Sequence, residues 1–181
     1  ELVDPKLTPP IIIGYTTSIT STVDVPEGTV DGDFLLVFVS YRNVTSWSTP
    51  AGWTLQCAED FLTDEVGCCW TKIANSEPES HTFNFAGNAS YICVTMRGYK
   101  NPIRVNSRFT KATYQVPSLV CPPGGIYFGI VTDANSPTYH STSVLQLTTI
   151  AYLNNSNTGI AVGYKYCPCL MTVSASASNT S

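Results

Sequence analysis

The side chains in this chain that could perform acid–base chemistry are two histidines and one group of carboxylates. His81 alternates with Phe83 and Phe85, which favours a histidine at the edge of an apolar core, and His140 lies in a polar stretch typical of an exposed loop. Four acids fall in one short segment and could in principle form the carboxylate pair of a glycosidase: Glu59, Asp60, Asp64 and Glu65. Acids grouped in a loop are usually only solvated. We therefore predict no catalytic residue and a protein that is not an enzyme.

Seven cysteines are a second source of chemistry, as thiols, disulfides or metal ligands: Cys57, Cys68, Cys69, Cys93, Cys121, Cys167 and Cys169. The first four lie among apolar neighbours, where a free cysteine behaves as a small hydrophobic residue. Disulfides remain an alternative, although an odd count leaves at least one cysteine unpaired in a disulfide protein. One C-x-C pair is weak evidence for zinc, and the Asp31-Gly32-Asp33 segment fits a turn better than a calcium loop. We expect free core thiols and neither metal nor cofactor.

Basic residues cluster in one segment of an otherwise acidic chain. Five of the nine lysines and arginines fall within fifteen positions: Arg97, Lys100, Arg104, Arg108 and Lys111. Such residues commonly protect a sheet edge, but they could also steer docking onto an acidic partner. We take them as candidate attachment residues. The net charge of −4 argues against nucleic-acid binding.

The three tryptophans divide by their surroundings. Trp53 and Trp70 lie in predicted strands and are expected in the core. Trp47 stands between two serines in a polar loop, where an exposed indole could stack on a sugar ring or anchor a protein interface. Trp47 is therefore the candidate ligand-contact residue.

Short strands separated by turns must position all of these residues. Alternating polarity and turn residues predict eleven strands, at 11–18, 21–25, 33–41, 53–60, 66–74, 81–85, 90–99, 127–132, 143–152, 158–166 and 169–175. Residues 34–39 are an unbroken apolar run, as expected for a strand buried on both faces. Residues 113–131 repeat the plan of residues 22–39: a polar strand, a Pro/Gly turn and an apolar strand. No segment has convincing helical spacing.

Composition agrees with one all-β domain. Charged residues make up only 12% of the 181 residues, and hydrophobic residues make up 43%. We predict an extended arm at residues 1–10, a single antiparallel β-sandwich of jelly-roll type at 11–175 and a flexible tail at 176–181. No apolar run approaches the ~20 residues that a membrane helix needs, so we expect no membrane partner.

Five segments carry a resemblance to a known group of proteins: residues 21–29, 32–37, 49–55, 69–74 and 94–99. Together they resemble jelly-roll modules of bacteriophage tail-fibre, head-fibre and capsid-decoration proteins, and of some bacterial surface proteins. The resemblance covers residues 11–103 well and residues 116–175 only in strand pattern. It brings no catalytic residues, and the cysteine content of this chain departs from it.

The resemblance implies a non-enzymatic structural protein at the surface of a phage particle. We expect a capsid decoration (cement) protein that binds the major capsid protein or other virion proteins, through residues 1–10 and the basic segment, as a homo-oligomer such as a trimer. The alternative is a tail-fibre or head-fibre module that binds host glycan through Trp47.

Overall fold

The computed structural model describes residues 9–42, 46–61, 65–85, 87–98, 114–133, 147–155, 158–169 and 171–177, with side chains excluded at 57–61, 65–66, 114–119, 131–133 and 173–177. These ranges contain twelve β-strands and no helix, which confirms the all-β prediction. The strands are β1 Ile11–Ser18, β2 Thr22–Asp24, β3 Phe34–Arg42, β4 Thr54–Phe61, β5 Glu65–Ile73, β6 Ser80–Thr82, β7 Asn88–Arg97, β8 Tyr114–Cys121, β9 Gly125–Asp133, β10 Thr148–Asn155, β11 Thr158–Cys167 and β12 Met171–Ala177.

A five-stranded antiparallel sheet in the order β1-β7-β3-β5-β4 forms the centre of the fold. The apolar strand β3 lies in its middle, where Val37 pairs with Trp70 of β5 on one side and with Cys93 of β7 on the other. Eight of the nine residues of β3 are buried. The expectation of a strand covered on both faces is therefore confirmed.

The inner face of this sheet packs on a three-stranded antiparallel sheet in the order β10-β11-β9. Phe38 and Ile92 from the five-stranded sheet lie in one apolar cluster with Ile160 and Val162 of β11. Phe38 also contacts Phe128 of β9, with ring centroids 5.6 Å apart. Because two antiparallel sheets share this core, the architecture is a β-sandwich.

The outer face of the five-stranded sheet is covered by different elements. The two-stranded pair β2–β6 packs there through Val23, and Phe83, just beyond β6, is fully buried with it. Trp53 and Trp70 lie in the same cluster, as expected from the sequence. The central sheet is thus a middle layer, with a partial third layer outside it.

The strands β8 and β12 form a separate two-stranded sheet next to β9. A disulfide between Cys121 and Cys167 joins the end of β8 to the end of β11, where the chain passes between the two sheets. The expectation of free thiols does not hold for this pair. Cys93 is a buried free thiol, as predicted, and Cys68 and Cys69 are also buried, whereas Cys169 is free and exposed. The side chain of Cys57 lies outside the described residues.

The eleven predicted strands all have counterparts, and their ends differ by a few residues. The strand expected at 81–85 is shorter, because β6 ends at Thr82. Phe85 instead forms an isolated bridge with Trp47. The strand β8 corresponds to the polar strand expected at the start of residues 113–131. The strand β12 extends through Ala177 into the predicted tail. Residues 1–8 of the predicted arm lie outside the described residues.

Candidate binding surface

Arg97, the first of the basic candidates, is held within the fold. It ends β7, and its guanidinium faces the buried carboxylate of Asp33 at the start of β3. Arg97 Nε donates to Asp33 Oδ1 and Nη2 donates to Asp33 Oδ2, both at 2.8 Å. Nη2 also donates to the carbonyl oxygen of Gly28 at 2.9 Å. This fork-to-fork geometry fixes the turn before β3 to the end of β7.

The electrostatics of this pair agree with a structural role. The hydrogen bonds from Arg97 lower the pKa of Asp33, and a bond from the backbone N–H of Val30 acts in the same direction. The Asp33 carboxylate is therefore ionised at neutral pH. The other four basic candidates lie outside the described residues: Lys100, Arg104, Arg108 and Lys111.

Trp47 lies over the aromatic cluster on the outer face, with 38% of its surface exposed. Its ring is nearly parallel to that of Phe85, with an interplanar angle of 13° and centroids 6.4 Å apart. It also meets Trp70 edge-on at 5.8 Å. One side of the indole therefore packs on the protein while part of it faces solvent, which is the arrangement that a stacking contact requires.

The loop that carries Trp47 is fixed at its far end by a turn. Gly52 has a φ of 80°, which a residue with a side chain rarely adopts, and Trp53 N donates to the carbonyl oxygen of Pro50 at 3.2 Å. The indole N–H of Trp70 donates to Thr49 Oγ1 at 3.3 Å. The Thr-Pro-Ala-Gly-Trp segment thus joins the loop to the core beneath it.

Sequence reasoning missed a cluster of charged residues around Glu77. Its carboxylate is almost fully buried, with Oε2 2.8 Å from Lys72 Nζ and 2.6 Å from His81 Nε2. Oε1 accepts a bond from the N–H of Asn75 at 2.8 Å. Burial opposes ionisation, but the bonds from Lys72, Asn75 and His81 outweigh it and lower the pKa of Glu77. The pattern Lys-x4-Glu-x3-His is the available sequence signal, but it does not reveal that the connection from β5 to β6 brings the three side chains together.

His81 is accordingly a partly buried core-edge histidine, as predicted from its apolar neighbours. It contacts Trp53 edge-to-face, with centroids 5.2 Å apart. A surface cavity of about 200 Å³ adjoins the cluster and is lined by Pro26, Val30, Pro78 and the acidic residues Asp31 and Glu79. The N–H of Ser76 donates to Asp31 Oδ1 at 2.6 Å, so the Asp31 carboxylate also stabilises a turn.

His140 and Asp64 lie outside the described residues, as do the side chains of Glu59, Asp60 and Glu65. Among the residues that are described, no group of three or more His, Cys, Asp or Glu side chains could hold a metal ion. No helix in the described ranges is long and apolar enough to cross a membrane.

Comparison with known proteins gives no assignment: no family model, curated protein or solved structure matches this chain. The local geometry is therefore the basis for a functional proposal.

Proposed function

We propose that this protein is a non-enzymatic structural protein of a bacteriophage virion surface, and specifically a capsid decoration protein with a jelly-roll sandwich. It would stabilise the shell by binding the major capsid protein and further copies of itself, for example as a trimer. Residues 1–10 and the basic segment from Arg97 to Lys111 remain the proposed attachment regions, and Arg97 itself would act there through the turn that it fixes.

The observation that carries the proposal is the surface around β1. Ile11, Tyr15 and Ile19 are each more than half exposed, and they lie on or next to a strand at the edge of the five-stranded sheet. Residues 11–23 contain no charged side chain. Ile11 is opposite Arg97 and Tyr15 is opposite Val94 of the inner-face cluster, so the two side chains lie on opposite faces of this edge. Sheet edges are usually protected by charge, and exposed apolar side chains favour contact with another protein. An uncharged apolar edge favours function through protein contacts.

The disulfide supports the proposed location. Disulfide bonds persist in oxidising surroundings, among which are the surfaces of virions and cells. The Cys121–Cys167 bond fits a protein exposed on the outside of a particle.

Co-sedimentation with undecorated capsids tests this proposal. The wild-type protein should pellet with capsids assembled from a major capsid protein alone, and Tyr15→Asp should reduce binding by about tenfold or more because it puts a charge on β1. The matched control is Ile73→Asp, at an equally exposed position at the end of β5. Wild-type protein that is folded by circular dichroism and stays in the supernatant would reject the proposal.

A second candidate function is host-glycan binding by a fibre module, favoured by the half-exposed indole of Trp47. Trp47→Ala should abolish binding on a glycan array, because stacking on a sugar needs the aromatic face. The control is Val30→Ala, which alters a similarly exposed apolar residue on a different turn. If the wild-type protein binds no glycan on the array, this alternative is rejected.

A further inference from the structure

The interface between the two sheets contains a group of hydroxyls at one end. Ser40 of β3 and Ser90 of β7 are fully buried, and Thr158 of β11 is almost fully buried. Ser90 Oγ lies 2.7 Å from Thr158 Oγ1 and donates to the carbonyl oxygen of Thr158 at 3.3 Å. These contacts cross from the five-stranded sheet to the three-stranded sheet. Ser40 Oγ, in contrast, has no hydrogen-bond partner among the described residues.

The strand register shows where Ser40 points. Phe34, Leu36 and Phe38 belong to the inner-face cluster, so Ser40 faces the same way because side chains alternate along a strand. Ser40 is directly opposite Ser90 of β7. Directly opposed Cβ atoms lie about 4.5–5.5 Å apart. One small molecule could therefore reach both hydroxyls.

The neighbour of Ser40 on its other side supplies no polar side chain. Its partner on β5 is Gly67, which has no side chain. The next inward-facing residue of β5 is Cys69, a member of the inner-face cluster. Gly67 therefore supplies no side-chain partner for Ser40 Oγ from β5.

We propose that an ordered water molecule lies between Ser40 Oγ and Ser90 Oγ and hydrogen-bonds to both. A buried hydroxyl without a partner is costly, and internal waters typically form about three hydrogen bonds to such groups. Each serine hydroxyl has one proton and two lone pairs, so Ser90 can bond to Thr158 and to the water together. The water extends the Ser90–Thr158 contact to the middle strand β3 and couples three strands of two sheets.

Thermal unfolding of Ser40→Ala distinguishes a hydrated site from a dry one. With the water present, the variant loses a satisfied hydrogen bond, and we expect Tm to fall by about 2–6 °C. If Ser40 Oγ is unsatisfied, the same variant removes a buried polar atom without a partner, and Tm stays equal or rises. An equal or higher Tm would overturn the proposal. The exposed Ser48→Ala is the matched control, with no expected change in Tm.

A double-mutant cycle gives a second readout. Ser40 and Ser90 share no direct hydrogen bond in the structure, but a bridging water would couple them. The loss in Ser40→Ala,Ser90→Ala should therefore be smaller than the sum of the two single losses. Additive losses would count against a shared water. If Ser90→Ala does not fold, a crystal structure of the wild-type protein tests the proposal instead. Density for the water must then appear within about 3 Å of Ser40 Oγ, and its absence would overturn the proposal.

Discussion

At the scale of single residues, the Asp33 carboxylate fixes the turn before β3 to the end of β7 through its contact with Arg97. Asp33→Asn keeps the shape of the side chain but removes the charge and turns one acceptor oxygen into a donor that faces the guanidinium. We expect the free energy of unfolding at pH 7 to fall by about 2 kcal/mol, measured by urea titration. Asp24→Asn, on an exposed carboxylate of β2, is the control and should change little. Equal losses in both variants would contradict the assigned role.

The lowered pKa values of Asp33 and Glu77 predict loss of stability in acid. Their ordinary values are 3.8 and 4.5, and both are lowered in the fold, by Arg97 for Asp33 and by three hydrogen bonds that outweigh burial for Glu77. Near pH 4 the unfolded chain therefore binds more protons than the folded one. The stabilisation is complete above the ordinary values and is lost as the pH falls through the folded values.

Calorimetry between pH 6 and pH 3 measures this effect. We expect the Tm of the wild-type protein to drop steeply over the acid part of this range. The double variant Asp33→Asn,Glu77→Gln should have a lower Tm at pH 6 and a flatter dependence on pH. Parallel curves for the two proteins would mean that other carboxylates cause the acid sensitivity.

The sequence predicted individual residues well where their neighbours were informative. Trp47 between serines is exposed, Trp70 in an apolar run is buried, and His81 near phenylalanines lies at the core edge. It could not reveal the partners of charged residues. The sequence places Arg97 in a segment of basic residues, but its guanidinium binds Asp33, 64 residues away along the chain. Such contacts depend on which strands lie side by side, and local composition does not encode this.

At the scale of secondary-structure elements, the inner-face core predicts a large cost for truncating β11. Ile160 is almost fully buried between the sheets, so Ile160→Ala should lower the free energy of unfolding by about 2–5 kcal/mol. Ile73→Ala is the matched control, because this isoleucine of β5 is 53% exposed. Its effect should stay within about 0.5 kcal/mol. Chemical denaturation measures both, and similar losses would show that the two sheets do not share one core.

The elements themselves could be predicted because alternation and turn residues are local signals. The apolar run of β3 indicated a strand with two covered faces, and the structure supplies both covers. Strand order was beyond reach, since β3 pairs with β5 and β7 rather than with β2 or β4. Both β2 and β6 were expected as strands, but their pairing on the outer face was equally beyond reach, because a local pattern predicts a strand and not its partner.

At the scale of the whole molecule, the Cys121–Cys167 disulfide closes a chain segment with a sequence separation of 46, which contains β9, β10 and most of β11. A cross-link of this length restricts the unfolded chain, and the chain-entropy estimate for it is about 4 kcal/mol, near the upper end of the usual range. Cys121→Ala,Cys167→Ala should therefore lower the free energy of unfolding by about 2–4 kcal/mol. Guanidinium titration in the presence and absence of dithiothreitol measures this loss.

The reductant makes the disulfide prediction specific. It should lower the unfolding midpoint of the wild-type protein and leave that of the double variant unchanged, because only the former has this bond to lose. Cys169→Ser is the control: its thiol is free and exposed, so the variant should unfold as the wild-type protein does in both conditions. Thiol titration of the denatured wild-type protein should find two more thiols after reduction than before. An equal number of thiols would mean that Cys121 and Cys167 are not bonded, and would remove the support that the disulfide gives to a virion surface.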